Sequence, residues 1–353
     1  MNDEQTQALQ AQVKDALAQD TLLQIEGGGT KSFYGQTIKG EVLSTQQHRG
    51  IINYEPTELV LTARAGTLLS EIESRLAKYN QMLPFEPPHF GEAATLGGTI
   101  ACGLSGPRRP YAGAARDHVL GCQVLTGKGD VLHFGGEVMK NVAGYDVTRL
   151  MTGAMGTLGI LLDISLKILP RPATEVTLQL NMSADEALQA MNHWAGQPVP
   201  LSGAVHDGDS LVLRLSGADS AVSHAQQLIG GEALASSEDY WASIREHTHA
   251  FFNDERPLWR LSLAPAHPQL ALEGDTLLDW GGAQRWLLSS ESPEAIRQAV
   301  EKTGGHATLF RPQETNAEIF HPLPDSLKQL HQRLKQTFDP GGILNSGRMY
   351  PDM

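Results

Sequence analysis

The segment Ile25–Gly35, which reads IEGGGTKSFYG, constrains the fold of this chain more than any other. Its three consecutive glycines follow the short apolar run Leu22–Ile25, which is typical of a strand. Glycine reaches positive φ angles without strain and lets neighbouring main-chain N–H groups converge. We therefore predict that Gly27–Gly29, with Thr30, form a nest for an anion such as a diphosphate.

Two further glycine-rich segments, Thr95–Gly106 and Gly153–Gly159, follow downstream. Three such loops indicate an extended dinucleotide, but neither the first nor the third has the Gly-x-Gly-x-x-Gly spacing of a Rossmann fold. A P-loop is also excluded, because Gly121–Lys128 has five residues before Gly127 instead of four, and Gly129 replaces the required hydroxyl.

Composition narrows the possible partners and compartment. Lysine and arginine number 27 against 40 aspartates and glutamates, a formal net charge of −13, which argues against a nucleic-acid surface. The start Met1–Glu4 does not resemble a secretory signal, and no apolar run approaches bilayer length. Cys102 and Cys122 are too few for a disulfide framework or an iron–sulfur cluster. We expect a cytoplasmic protein without a transmembrane segment.

The periodicity predicts an α/β first half. A helix carries Leu9–Leu17, Thr67 is the expected N-cap of the next helix, and Val119–Phe134 reads as a β-hairpin. The sequence Pro170–Pro172 predicts a domain boundary.

Beyond this boundary strands and helices alternate again. Ser183 and Glu186 form a capping-box pattern, and Ser292 precedes a proline at the first helical position. These elements suit an antiparallel sheet backed by helices, and no repeat of fixed period is visible.

Five strings in a fixed order resemble the vanillyl-alcohol-oxidase (PCMH-type) FAD-binding superfamily, and the whole pattern is similar to the FAD-binding subunits of bacterial glycolate oxidases. The strings are GGGT (27–30), TLGGTIA (95–101), RDHVLG (116–121), KNVAGYD (140–146) and GTLGI (156–160), with a weaker match at 338–348. The resemblance implies an α+β protein: a PCMH-type FAD-binding domain of two α/β subdomains over 1–172, a small antiparallel, ferredoxin-like α+β cap domain over 173–311, and a C-terminal segment, 312–353, that packs back on the FAD domain.

The resemblance also implies the residues that bind FAD. Those expected around the diphosphate are Gly27, Gly28, Gly29, Thr30, Thr95, Gly97 and Gly98. Those expected near the diphosphate and flavin are Gly103, Ser105 and Gly106. Those expected near the isoalloxazine are Asn141, Gly144 and Tyr145, and those expected at the adenosine half are Thr157, Gly159 and Ile160.

Two positions depart from the family pattern. Relatives that bind flavin covalently commonly have a histidine just after the first loop, where this chain has Lys31-Ser32, so we expect noncovalent FAD. Met155 stands where many relatives have a glutamate, which puts any acid-dependent role at this position in doubt.

The catalytic residues are not identified by sequence. His306 lacks a second histidine at ligand spacing, and on a helix His247 and His249 would point to different sides, so we expect no metal site. Arg260 could bind a substrate carboxylate or could lie on the solvent face. Cys102 is best explained as a small buried residue.

The resemblance implies a subunit that oxidises glycolate to glyoxylate, or relays its electrons. Its expected partners are a second FAD-containing subunit and an iron–sulfur subunit, with attachment to the inner membrane through them. Two alternatives stay open: a self-sufficient D-2-hydroxyacid dehydrogenase, and a noncatalytic flavin-fold scaffold.

Overall fold

The computed structural model describes residues 4–136, 146–312 and 318–353. The chain divides into two compact units. The first runs to Ser105, resumes over Gly113–Pro170 and includes Pro322–Met353. The second consists of Gly106–Ala112 and Arg171–His321. The predicted domains, divided at 172 and 311, differ from these units mainly at Gly106–Ala112 and at the point where the chain returns to the first unit.

The elements up to residue 170 are α1 (Glu4–Ala18), β1 (Leu23–Glu26), β2 (Glu41–Ser44), β3 (Ile51–Glu55), β4 (Val60–Arg64), α2 (Leu69–Ala77), β5 (Gln81–Met82), α3 (Leu96–Cys102), α4 (Arg109–Ala112), α5 (Ala115–His118), β6 (Val119–Leu125), β7 (Val131–Gly135), α6 (Val147–Met151), β8 (Ile160–Lys167) and β9 (Leu169–Pro170). The remaining elements are β10 (Thr174–Asn181), α7 (Ala184–Ala195), β11 (Leu201–His206), β12 (Ser210–Gly217), α8 (Asp219–Ile229), β13 (Glu232–Ala233), α9 (Ser237–Arg245), β14 (Leu258–Ser262), β15 (Asp275–Asp279), β16 (Gln284–Leu288), α10 (Pro293–Glu301), β17 (His306–Arg311) and α11 (Asp325–Phe338).

The first unit contains a five-stranded antiparallel sheet in the order β3-β4-β8-β6-β7. Residues on both faces of β8 are buried, so the sheet lies inside the unit. A separate parallel pair, β1 and β2, runs in register from Leu23 opposite Glu41 to Glu26 opposite Ser44. The glycine-rich segment begins where β1 ends. The predicted hairpin is confirmed as β6–β7.

The second unit is built on one eight-stranded sheet in the order β13-β10-β12-β11-β15-β16-β14-β17, and its strand pairings are antiparallel where they are described. The first four strands, with α7 and α8, follow the β-α-β-β-α-β order of a ferredoxin-like fold. The last four have the mirrored spatial order, and residues 263–274 connect β14 to β15 without a helix. The unit therefore contains a topological repeat that the sequence, lacking a fixed period, did not reveal.

Two of the predicted helix N-caps are confirmed, and a third is wrong. The capping box is confirmed, because Ser183 and Glu186 each accept a hydrogen bond from the other's N–H group, and Ser292 accepts one from Ala295. The prediction that Thr67 caps a helix is wrong. Helix α2 begins at Leu69, while the Thr67 hydroxyl accepts from the Gly50 N–H at 2.9 Å and donates to its carbonyl at 3.2 Å.

Within the described ranges, no helix is both long and apolar enough to cross a bilayer.

Candidate functional site: a glycine-lined cleft

The first glycine loop needs its glycines because other backbone lies against it. A Cβ atom on Gly28 would lie 1.6 Å from the carbonyl oxygen of Ala93, and one on Gly27 would lie 2.4 Å from Thr95 Oγ1. Gly29 has a φ angle of +69°, which favours glycine. The atoms around the loop therefore leave no room for a Cβ at Gly27 or Gly28.

The same loop presents its amides. Among the described residues, no protein acceptor is bonded to the backbone N–H groups of Gly27, Gly28, Gly29 or Thr30. All four residues are partly buried. Backbone donors removed from bulk water normally have partners, so adjacent unpaired donors indicate a place for an anion.

The second loop contributes less through its N–H groups. Thr95 is the N-cap of α3, and its hydroxyl accepts from the Gly98 N–H at 3.3 Å. The Gly97 N–H already donates to the Ala65 carbonyl at 2.7 Å, and a Cβ there would lie 2.7 Å from the Ala65 Cβ. Gly97 therefore serves close packing, while Gly98 leaves room at the surface of the helix.

These loops border two adjoining cavities of about 680 Å³ and 460 Å³, counting the space that is open to solvent. The two share lining residues such as Ile25, Gly27 and Asn345. The predicted residues that line them are Gly27, Gly28, Gly29, Thr30, Thr95, Gly97, Gly98, Gly159 and Ile160. All belong to the first unit. Segments distant in sequence thus form one continuous cleft.

Four predicted residues lie outside this lining. Gly103 ends α3 at a φ angle of +64°, and the Ser105 hydroxyl accepts from the Ala115 N–H at 3.0 Å. Gly106 belongs to the second unit, where its carbonyl accepts from Trp280 Nε1 at 3.0 Å. The carbonyl of Thr157 accepts from the Lys335 ammonium at 2.8 Å. The predicted residues Asn141, Gly144 and Tyr145 lie outside the described residues.

The C-terminal segment supplies two lining residues that sequence reasoning missed. Asn345 accepts from the Ile25 N–H at 2.7 Å and donates to the Met155 carbonyl at 2.7 Å, which joins β1 to the third loop. Arg348 also lines the cleft. The weaker match at 338–348 was the signal that could have found both residues.

Three ionisable side chains and one thiol line the larger cavity: Glu26, Lys31, Arg348 and Cys102. The Arg348 guanidinium donates to the Ser32, Tyr34 and Gln36 carbonyls at 2.8, 2.6 and 2.7 Å, so it holds the loop that follows the nest. Burial raises the pKa of the Cys102 thiol, although Lys31 and Arg348 oppose this shift. The thiol is therefore protonated at neutral pH.

The histidines singled out by sequence lie in the second unit. His247 stacks on Phe252 with ring centroids 4.1 Å apart, and burial lowers its pKa to about 3. His249 Nε2 lies 3.9 Å from Asp207 Oδ2. Arg260 lies in β14 and His306 begins β17. Within the described residues, no group of three or more His, Cys, Asp or Glu side chains has the geometry of a metal site.

Comparison with known proteins identifies the family of the chain and its cofactor. A family model described as an FAD binding domain matches residues 4–135. The chain is 47% identical over 348 residues to the glycolate oxidase subunit GlcE of Escherichia coli, covering 99% of this chain and 98% of that protein. The chain belongs to the GlcE family. It is an FAD-dependent oxidoreductase of the PCMH type, and the unpaired amides of Gly27–Thr30 and the small lining residues fit a dinucleotide.

More distant relatives agree on the fold. The glycolate oxidase subunit GlcD of Bacillus subtilis is 32% identical over 169 residues, which cover 47% of this chain and 36% of that protein. The solved structure of an alkyldihydroxyacetonephosphate synthase superposes with a TM-score of 0.67 at 15% identity, covering 96% of this chain and 74% of that chain. At this identity the synthase shows a shared architecture alone.

Proposed function

We propose that this chain is the FAD-containing subunit of a glycolate oxidase complex, which oxidises glycolate to glyoxylate. The observation that carries the proposal is the full-length similarity to a glycolate oxidase subunit, joined to a cleft whose four adjacent amides are unpaired in the described structure. FAD, when bound, accepts the two electrons that leave the substrate carbon.

Different residues of the cleft would bind different parts of FAD. The amides of Gly27–Thr30 receive the diphosphate, and Gly98 and Ala101 let the α3 surface approach the cofactor without side-chain obstruction. Gly159 and Ile160 line the smaller cavity, which would take the adenosine half. Lys31 is not a residue to which flavin is usually tethered, which supports noncovalent binding. Asn141, Gly144 and Tyr145 lie outside the described residues, and the proposal keeps for them the flavin-binding role that the family resemblance implies.

The proposal also names the partner subunits of this chain. The chain works beside a second FAD-containing subunit and an iron–sulfur subunit that carries electrons onward, and these partners bring it to the inner membrane. The name of the E. coli relative, a subunit, supports an assembly. The similarity of 169 residues to GlcD supports an origin of both flavoprotein subunits from one fold.

The test compares the chain alone with the chain co-expressed with its two partners. The isolated protein should purify yellow with stoichiometric, acid-extractable FAD, and the complex should reduce an artificial acceptor when glycolate is added. Glycolate bleaching of the isolated chain assigns substrate oxidation to this subunit, whereas bleaching of the complex alone assigns it to the partner flavin.

Two results would replace the proposal. Rapid turnover of D-lactate by the isolated chain, with no response to partners, would favour a self-sufficient dehydrogenase. Full activity of the complex after Gly28→Val, a change that fills the nest, would favour the scaffold alternative.

A further inference from the structure

The Lys31 side chain turns its charge back toward the nest. The residue is 7% exposed, and its ammonium lies 3.4 Å from Thr30 Oγ1 and 3.1 Å from the His89 carbonyl oxygen. Because Thr30 supplies the last of the four unpaired amides, the positive charge lies at the end of the nest. Lys31 itself lines the larger cavity.

Lys31 is buried, and its ammonium lies beside aromatic rings. The Phe90 ring centroid lies 5.8 Å from Nζ, and Phe33 packs edge-on against Phe90 at 5.4 Å. Charges interact more strongly in such a setting than in bulk solvent. A buried cation is expensive unless anions or dipoles compensate it.

The cleft also contains an acidic side chain, Glu26, whose charge adds to that of the diphosphate. Glu26 Oε1 lies 2.9 Å from the position that a Gly29 Cβ would occupy, so a carboxylate stands at the same nest that is to receive two phosphate charges. The backbone amides supply only partial charges. Arg348, the other cation of the larger cavity, is committed to three carbonyl groups of the loop that follows the nest.

We propose that Lys31 is the residue that neutralises the diphosphate of FAD, and that it sets the affinity of the cofactor through charge. The inference rests on the proposed function only in that FAD occupies this cleft. It assigns to Lys31 a positioning role at the end of the nest.

The test measures binding to the FAD-stripped full-length protein. Lys31→Met should raise the Kd of FAD by at least about tenfold, about 1.4 kcal/mol, while Lys31→Arg should recover most of the affinity. ADP, which carries the diphosphate without the flavin, should lose affinity by a similar factor. Raising the salt concentration should weaken FAD binding to the wild type more than to Lys31→Met. Lys78→Met, at the exposed end of α2, is the matched control and should change neither Kd.

A purely structural role for Lys31 predicts another pattern. If the residue only ties the nest to His89, Lys31→Met should lower the melting temperature and leave the salt dependence of FAD binding unchanged. That pattern overturns the inference, as does a Kd for FAD equal to that of the wild type. Failure of the wild type to bind FAD would instead overturn the proposed function, so the two failures are distinguishable.

Discussion

The ammonium of Lys335 lies 2.8 Å from the carboxylate of Asp339, and Asp339 is 1% exposed. Lys335 also donates to the carbonyls of Thr157 and Leu344, while the carboxylate accepts the Leu344 N–H at 2.8 Å. One buried ion pair thus joins α11, the third glycine loop and the strand-like segment that leads to Asn345. Charge inside the protein holds together three parts of the cleft wall.

Breaking this pair should destabilise the first unit. Asp339→Asn leaves the Lys335 ammonium buried without a counter-charge, and we expect a loss of about 3–5 kcal/mol in the free energy of unfolding. Lys335→Met should cost less, because the remaining carboxylate keeps its backbone N–H donors. Urea titration measures both, and the double variant should lose less than the sum of the two. Strict additivity would show that the pair is not energetically coupled.

Gly28 and Gly98 should respond differently to the same methyl group. In Gly28→Ala the added Cβ meets the Ala93 carbonyl at 1.6 Å, so the loop must move and FAD binding should fall by more than tenfold. In Gly98→Ala the nearest atom is Thr95 Oγ1 at 3.3 Å, and alanine favours the helix. We expect the unfolding midpoint of apo Gly98→Ala to be equal to or higher than that of the wild type. Thermal unfolding of the stripped proteins and fluorescence titration with FAD check both expectations.

The nest was predictable because its signal is local. Three adjacent glycines after an apolar run specify a backbone, and Gly27–Thr30 indeed line the cleft. The second and third loops could be joined to it only through the family resemblance. Ser105 and Thr157 were predicted from that resemblance alone, and their hydroxyl and carbonyl groups accept hydrogen bonds from protein donors within the first unit.

The rest depends on contacts that no local pattern encodes. Asn345 meets Ile25 across 320 positions, and Arg348 meets Gln36 across 312. Thr67 is a residue type that commonly caps helices, but its hydroxyl accepts a hydrogen bond from the Gly50 N–H. This tertiary contact, and not the local sequence, decides that α2 begins at Leu69. The repeat in the second unit could not be found from the sequence. Its two four-stranded halves have the same strand order, but their elements do not recur at a fixed sequence spacing.

Stability should fall in acid through His247. Burial, followed by the charges of Arg311 and Arg260, lowers its pKa from 6.5 to about 3. The unfolded chain therefore binds a proton below pH 6.5 that the folded chain refuses, so stability declines as the pH falls from about 6.5 to about 3 and is unaffected above. His247→Phe, which can keep the stacking on Phe252, should flatten this part of the profile. His249→Gln is the control and should retain the decline in urea titrations between pH 4 and pH 8.

Cys102 offers a direct report of cofactor occupancy. Its side chain is partly exposed and lines the larger cavity, whereas Cys122 is buried in the first unit. Bound FAD should cover Cys102, so N-ethylmaleimide should label the stripped protein once, at Cys102, and the FAD-loaded protein much more slowly.

The pH dependence of this labelling follows from the raised pKa of Cys102. The reactive thiolate is scarce at neutral pH, so the rate should keep rising with pH beyond 9 in the stripped protein. Intact-mass spectrometry gives the rates, and Cys102→Ser should abolish labelling while leaving FAD bound. Equal rates with and without FAD would place the cofactor away from this wall of the cleft, even if the protein were yellow.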